Sequence, residues 1–500
     1  MTENLTPVLI GAGQFMQREF ELEKMLDPLG MMVETARLAA EDAGGGKRLL
    51  NAIDSLAIVN VMSWRYENLP RLLAERLEAH PREEIFTAQG GNIPQKLVNA
   101  TAQKIAEGKV RVALLSGAEA LYTRRAARRD GIKLPWPRGE VRTLINFGDE
   151  REGESELESD YGLNQPLSIY PVFENALRAW HKLDLDAHRR KMGRLFSRFT
   201  QVAAENLYAW FPEAHTPEEI TAVTSENRMI CFPYPKRMNA IMSVNQSASV
   251  IMTSVSAARA FGIPQDLWIY LWGGGDAMED PWFVSERSNF HSSPALSFAA
   301  RAALTKAGVT MDEVDFLDLY SCFPCAVQIA CDELGISEDD PRPLTVTGGL
   351  PYAGGPASNY SMHAIATMMG KLRAAPEAKG LVTGNGMYLS KHSAGVYSGT
   401  PKVPSSLPEV SSDEAAPAGE ALTVALEAEG RGVIETYTVL HDYDGAPETG
   451  IVMGRLEDGR RFLAHTPQDR SLLEGLMTEE AIGRFGMLTC QDRRQSFAPD

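Results

Sequence analysis

The chain has 500 residues, a formal net charge of −17 and a hydrophobic content of 44%. That length suits two to four domains around a large core, and the composition is that of a soluble globular protein. The acidic balance argues against nucleic acid or an anionic membrane as the main partner, and no apolar run is long enough to span a membrane.

The opening "MTENLTPVLIGAG" has neither a basic n-region nor a long apolar run, so no signal peptide is expected. The five cysteines, an odd number in so long a chain, point to reduced thiols and the cytoplasm rather than to a disulfide framework. Residues 31–63 read as an amphipathic helix, a glycine stop and the strand "SLAIVNVM". Next comes "EIFTAQGGNIPQKLVNATAQKIAEGKVRVALLSGAEAL", 84–121: a strand, a diglycine turn at Gly90-Gly91, a helix and a second strand. The basic "RRAARR", 124–129, reads equally as a phosphate-gripping patch or a solvated helix face. From about 120 to 230 the pattern turns helical, with the acidic loop "GDEREGESELESD" followed by two aromatic-rich helices forming a lid or insertion. "SVNQSASVIMTSVSAARAFGI" then returns as a strand and helix of the first half.

The plan repeats. Residues 294–323 follow the pattern of 31–63, and "GGPASNYSMHAIATMMGKLRAAPEAKGLVTGNG", 354–386, follows that of 90–117. Strands alternating with helices in two such halves should pack as one layered α/β body. "TPKVPSSLPEVSSDEAAPAGE", 400–420, reads as a linker and the main protease-sensitive site. Beyond it, alternating strands around Asp-Gly turns predict a small all-β barrel. The expected division is 1–119 with 231–280 as one half, 120–230 as insertion, 281–399 as the second half, and 421–500 as the β-domain. "CFPC", 322–325, lacks the partners for a metal site, and none is expected.

The ordered set "VLIGAGQ", "GGNIPQKLVNATAQKIAEG", "VNQSASVIMTS", "DLYSCF", "TGGLPYAGGPASNYSMHAI" and "VTGNGMYLSKHSAGVYS" resembles the thiolase superfamily, most closely the thiolase-like proteins allied to sterol-carrier-protein thiolases. The resemblance runs from about residue 7 to 399. It implies a duplicated, layered αβαβα fold and a coenzyme A thioester as substrate or ligand. A thiolase of this superfamily uses a cysteine at a helix N-terminus, a histidine, a second cysteine and an Asn or His after the "DLYSCF" strand. Here the first falls on Gly90 or Gly91, the histidine on Gly355, the second cysteine near Val382 to Gly384, and the last on Tyr320. Thiolysis is therefore not expected.

Three readings stand open. In the first, an aldol-type reaction runs without a covalent intermediate. The resemblance extends here to superfamily aldolases that carry a tyrosine at this place and work with an OB-fold partner, like the C-terminal β-domain. Tyr320, its pKa lowered by neighbours, then serves as acid or base, with His392 assisting. Gly90, Gly91, Gly355 and Asn385 supply the oxyanion or thioester site, and Ser247 lies along the pantetheine path. His363 reads as packing. The second reading is a non-catalytic acyl-CoA binder or scaffold, the third an acyltransferase with a rearranged site. The resemblance makes a homodimer one expectation; a monomer, with the fused domain over the dimer face, is the other.

Overall fold

Each repeat contributes its own set of strands to the computed structural model, which describes residues 4–18, 21–402 and 419–500. The first set is β1 (Pro7–Met16), β2 (Ser55–Ile58), β3 (Glu83–Phe86) and β4 (Val112–Ala120), completed by β7 (Asn245–Ser254). Two short strands, β5 (Met229–Cys231) and β6 (Tyr234–Pro235), precede β7 in the chain. The second set is β8 (Ile269–Met278), β9 (Phe316–Asp318), β10 (Lys379–Gly386) and β11 (Lys391–Ser398). The order across the joined sheet is β3-β2-β4-β7-β1-β8-β11-β10-β9. Read outward from the β1–β8 junction, β7, β4 and β2 of one half match β11, β10 and β9 of the other, which is the duplication in three dimensions. β8 pairs with β11 along its length but with β1 only at Ile269 and Tyr270. The halves therefore divide before β8, not at residue 280.

The helices Ile93–Ala106 and Tyr360–Ala374 touch both strand sets and form a central layer. Pro28–Asp42 covers the first set from outside and Pro294–Ala307 the second. The same device seats both outer helices. A Cβ on Gly11 would lie 2.0 Å from the Ala39 carbonyl oxygen, and one on Gly273 2.1 Å from that of Ala303. Only glycine permits so close an approach of strand to helix backbone.

The free edge of β3 is occupied by the chain itself. Asn146 donates its backbone N–H to Phe86 O (3.0 Å) and its side-chain amide to Glu84 O (2.9 Å), while Ala88 N–H donates to Phe147 O (2.7 Å). A segment between β4 and the lid thus protects an edge that would otherwise be open to another strand.

The C-terminal strands β12 (Val424–Ala425), β13 (Gly430–His441), β14 (Pro447–Leu456), β15 (Arg461–His465), β16 (Phe485–Gln491) and β17 (Arg494–Pro499) contain a barrel closed in the order β13-β14-β15-β17-β16. The domain is not purely β: the helix Arg470–Thr478 buries Leu473 and Leu476 against it. Nor is it a detached module. Cys231 of β5 pairs with Leu440 of β13, so a strand from the far side of β7 extends the barrel sheet. The lid helix Pro166–Trp180 runs beneath the barrel; its Val172 carbonyl accepts from Thr436 Oγ1 (2.6 Å), and Asn175 Nδ2 donates to Tyr437 O (2.9 Å). The buried Arg178 guanidinium meets Glu480 at 2.6 Å, and Arg461 donates to the Ser285 carbonyl (3.0 Å). The expected protease-sensitive linker falls almost wholly on residues 403–418, outside the described residues.

Body and barrel should consequently unfold together. A single thermal transition is expected, and Asn175→Ala, which removes the side-chain amide bonded to the Tyr437 and Phe232 carbonyls, should lower its midpoint by roughly 1–5 °C. Two separated transitions in calorimetry, only one of them moved by the substitution, would contradict the shared interface.

Candidate functional site

The diglycine turn lies at the start of the central helix Ile93–Ala106, where a thiolase presents its nucleophile. Gly90 has φ +147° and gives its N–H to Ser358 Oγ at 3.0 Å, so that amide is already committed. Gly91 faces Tyr320. A Cβ built on Gly91 would lie 2.1 Å from the Tyr320 hydroxyl oxygen, 2.4 Å from Cζ and 2.5 Å from the Asn385 carbonyl oxygen. The phenol thus fills the volume that a nucleophilic side chain would occupy. Glycine at 91 and tyrosine at 320 are one steric unit.

Tyr320 follows β9, its N–H donating to Thr383 Oγ1 (3.0 Å), and its ring meets Tyr360 edge-on at 5.4 Å. Beneath it Asp318 accepts from Thr345 Oγ1 (2.9 Å), Val346 N–H (3.0 Å) and the Tyr360 hydroxyl (3.1 Å). Burial raises the Asp318 carboxyl to about 6 despite those donors. The Tyr320 phenol is driven well above its ordinary value, by burial and then by the nearby Cys322 thiol. The expected lowering is thereby reversed: burial dominates, so Tyr320 holds its proton and presents an O–H. Burial also pushes the Cys322 thiol up to about 12 and that of Cys325 well above its ordinary value, so neither is a ready thiolate.

Asn385 and His392 pair across β10 and β11, so their side chains share one face of the sheet. That face is the one away from the diglycine turn. Asn385 Nδ2 donates to the Tyr170 hydroxyl of the lid (2.9 Å), and only its backbone oxygen borders Gly91. His392 Nε2 lies 3.1 Å from Ser293 Oγ, which donates to Glu279 (2.6 Å). Burial, above all, holds its imidazole down at about 3, neutral across the physiological range. Its place in the outer layer separates it from Tyr320. Gly355 gives its N–H to the Ile241 carbonyl (2.9 Å) and has no amide to spare. Ser247 faces the other outer layer, donating to the Gly117 carbonyl and meeting Thr35 Oγ1, both at 2.9 Å. His363, read as packing, bonds Gln14 (2.9 Å).

The structure instead brings Lys391 to the turn. It neighbours His392 on β11 but points to the opposite face, so that a Cβ built on Gly90 would lie 3.2 Å from its Cε and 3.4 Å from its Nζ. Nζ donates to the carbonyls of Gln89 (2.7 Å) and Asp149 (3.1 Å). Burial lowers its pKa to about 8, which leaves it mostly protonated near neutrality. Two carbonyls account for two of its three donors.

Two central helices, duplicated strand sets and a diglycine turn with tyrosine in place of the nucleophile define a thiolase-type protein without the covalent machinery. The family model described as the thiolase-like protein type 1 additional C-terminal domain matches residues 407–493. The crystal structure of a monomeric SCP2-thiolase-like protein type 1 from Mycobacterium smegmatis is 36% identical over 100% of both chains, with a TM-score of 0.84. The chain belongs to this SCP2-thiolase-like type 1 family. The same fold is seen in an Ltp2–ChsH2(DUF35) aldolase, at 17% identity over 79% of this chain and 98% of that one, TM-score 0.60. It is also seen in the human mitochondrial 3-ketoacyl-CoA thiolase in complex with CoA, at 15% identity over 80% and 99%, TM-score 0.57. No curated protein sequence gives a significant match. The mycobacterial relative being monomeric, the comparison lends the homodimer expectation no support.

Replacing Gly91 with alanine should destabilise the fold by about 1–3 kcal/mol, because the new methyl meets the Tyr320 phenol and a fixed carbonyl. Adding Tyr320→Ala to the same chain should recover part of that loss in urea unfolding; strict additivity would refute the pairing. The buried imidazoles generate a second expectation. His392 and His363 both titrate near 3 when folded and near 6.5 when unfolded, so between those limits the unfolded chain binds more protons. Stability is full above 6.5 and declines as pH falls, by about 2 kcal/mol per histidine at pH 5. His392→Gln should flatten the decline measured by urea midpoints, and an unchanged slope would disprove its part.

Proposed function

We propose that this chain binds an acyl-CoA thioester in its thiolase-type cleft and acts on it, without an acyl-enzyme, by carbon–carbon cleavage or formation of aldol type. The observation that carries the reading is the Tyr320 hydroxyl in the nucleophile's place, protonated and beside a helix N-terminus. A hydroxyl there cannot take up an acyl group as a thiolate does, but it can hydrogen-bond a thioester oxygen.

In aldol cleavage the hydroxyl of a β-hydroxyacyl thioester gives its proton to a water molecule, the bond between Cα and Cβ breaks, the carbonyl fragment leaves, and the electron pair collects on the enolate oxygen until Cα takes a proton back from water. Tyr320, the helix dipole and the Lys391 ammonium supply the positive field that such an oxygen needs. His392 has no part in this, being neutral and on the far face. The likeness to an aldolase and to a CoA-bound thiolase supports the substrate class and the reaction, at the level of fold.

The C-terminal barrel takes, in this reading, the role of an OB-like partner domain fused in cis, and the protein works as a monomer. No helix among the described residues is long and apolar enough to cross a membrane. The five thiols are all unpaired, which supports a reducing compartment such as the cytoplasm.

Calorimetric titration with CoA and a series of acyl-CoAs should detect binding. Tyr320→Phe should leave CoA affinity nearly unchanged and lower release of the carbonyl fragment from β-hydroxyacyl-CoA about 100-fold. Absence of binding to every thioester would eliminate the reading. Binding with turnover indifferent to Tyr320 would leave a non-catalytic binder.

A further inference from the structure

A cavity of about 330 Å³ lies on the first half of the body, between the segment after β2, the start of the lid insertion and the edge of β3. Arg65, Arg124, Arg138 and Arg142 all line it, with Trp64 and Gln89. The chain carries 66 acidic and 49 basic residues, so a cluster of arginines on one wall runs against its overall charge. Here four occur together. Among the described residues, no Asp or Glu oxygen lies within 4.0 Å of any of the four guanidiniums. Their contacts are to neutral groups: Arg65 donates to the Gly139 carbonyl (3.1 Å), Arg124 to that of Met62 (3.3 Å), and Arg138 lies 5.9 Å from the Trp64 ring centroid. The carboxylate closest in influence is Glu119, buried under the cavity. Its two oxygens are taken by the Met62 and Ser63 amides at 2.7 and 2.8 Å, and burial raises it to about 7. It braces the segment that carries Arg65, and from beneath the cavity its carboxyl feels the charge of Arg124 without an ion-pair contact.

Four like charges on one concave wall repel each other, and such a wall concentrates the field on whatever enters. Guanidiniums left with free N–H forks fit the paired oxygens of phosphate groups. We infer that this cavity is a binding site for a small diphosphate-bearing molecule, distinct from the Tyr320 centre. Arg124 and Arg142 grip the anion from the exposed rim, and Arg65 and Arg138 from the loop edges. The diphosphate could come from a free nucleoside diphosphate or from the handle of a CoA molecule. Gln89 on the cavity wall immediately precedes Gly90, so occupation bears directly on the loop that forms the thioester site.

The test is calorimetric titration of the full chain, at low ionic strength, with inorganic pyrophosphate, ADP and CoA in turn. Pyrophosphate should bind, with an affinity that falls as salt is added. The double variant Arg124→Gln/Arg142→Gln, exposed at both positions, should keep the thermal midpoint and weaken pyrophosphate about 10-fold or more. ADP bound more tightly than CoA, with the same loss in the double variant, identifies a free nucleotide. CoA bound more tightly, again with that loss, identifies the handle. No binding of any of the three, or binding untouched by the double variant, overturns the site. Because pyrophosphate has no thioester, this result is independent of acyl-CoA binding at Tyr320.

Discussion

The site depends on the approach of the Tyr320 hydroxyl to the bare Cα of Gly91. Any side chain at 91 would overlap the phenol and the Asn385 carbonyl. The contact requires glycine at the head of a buried helix and a long aromatic side chain at the end of a strand from the other repeat. It thus ties the two halves at the point where a thiolase keeps its chemistry. Loss of the nucleophile here is not an empty position: the space has been reassigned to a group with a proton to give.

The electrostatic surroundings follow from that burial. With Tyr320, Tyr170, Cys322 and Cys325 withdrawn from water, each is pushed toward its neutral form. Charge is retained chiefly by Lys391, held between two backbone carbonyls. A neutral donor and one partly titratable cation beside a helix N-terminus suit oxyanion binding, whereas thiolate chemistry would need the opposite balance.

Much of the architecture was legible because the repeat is written in local signals: glycine stops, diglycine turns and apolar helix faces recur in both halves. The strand "YLWGGGDAM" is hidden behind three glycines whose reason is tertiary: Gly273 and Gly275 admit the outer helix Pro294–Ala307, and Gly274 meets Asn99 of the central one. The helix Arg470–Thr478 carries its own signals, an Asp469 cap and apolar residues at 472, 473, 476 and 477, set among alternating strands. At the site, motif order aligns Gly91 and Tyr320 but does not distinguish Lys391 from its neighbour His392. Adjacent residues on a strand face opposite ways, and which faces the central helix depends on register, a property of the assembled sheet. The direction of the Tyr320 shift depended on burial in the same way.

The pairing of β5 with β13 has a consequence for how the protein is made. Cys231 leaves the ribosome about 200 residues before Leu440, the residue it pairs with, a delay of roughly 10–40 s at ordinary rates of synthesis. During that interval the lid helix Pro166–Trp180 has no barrel above it, and the Val172 carbonyl and the Asn175 amide await partners still unmade. Residues 430–441 therefore supply late what the lid helix needs early, and a chain halted before them would hold that helix with its polar groups unpaired and its cover missing, a state that invites aggregation or capture by chaperones.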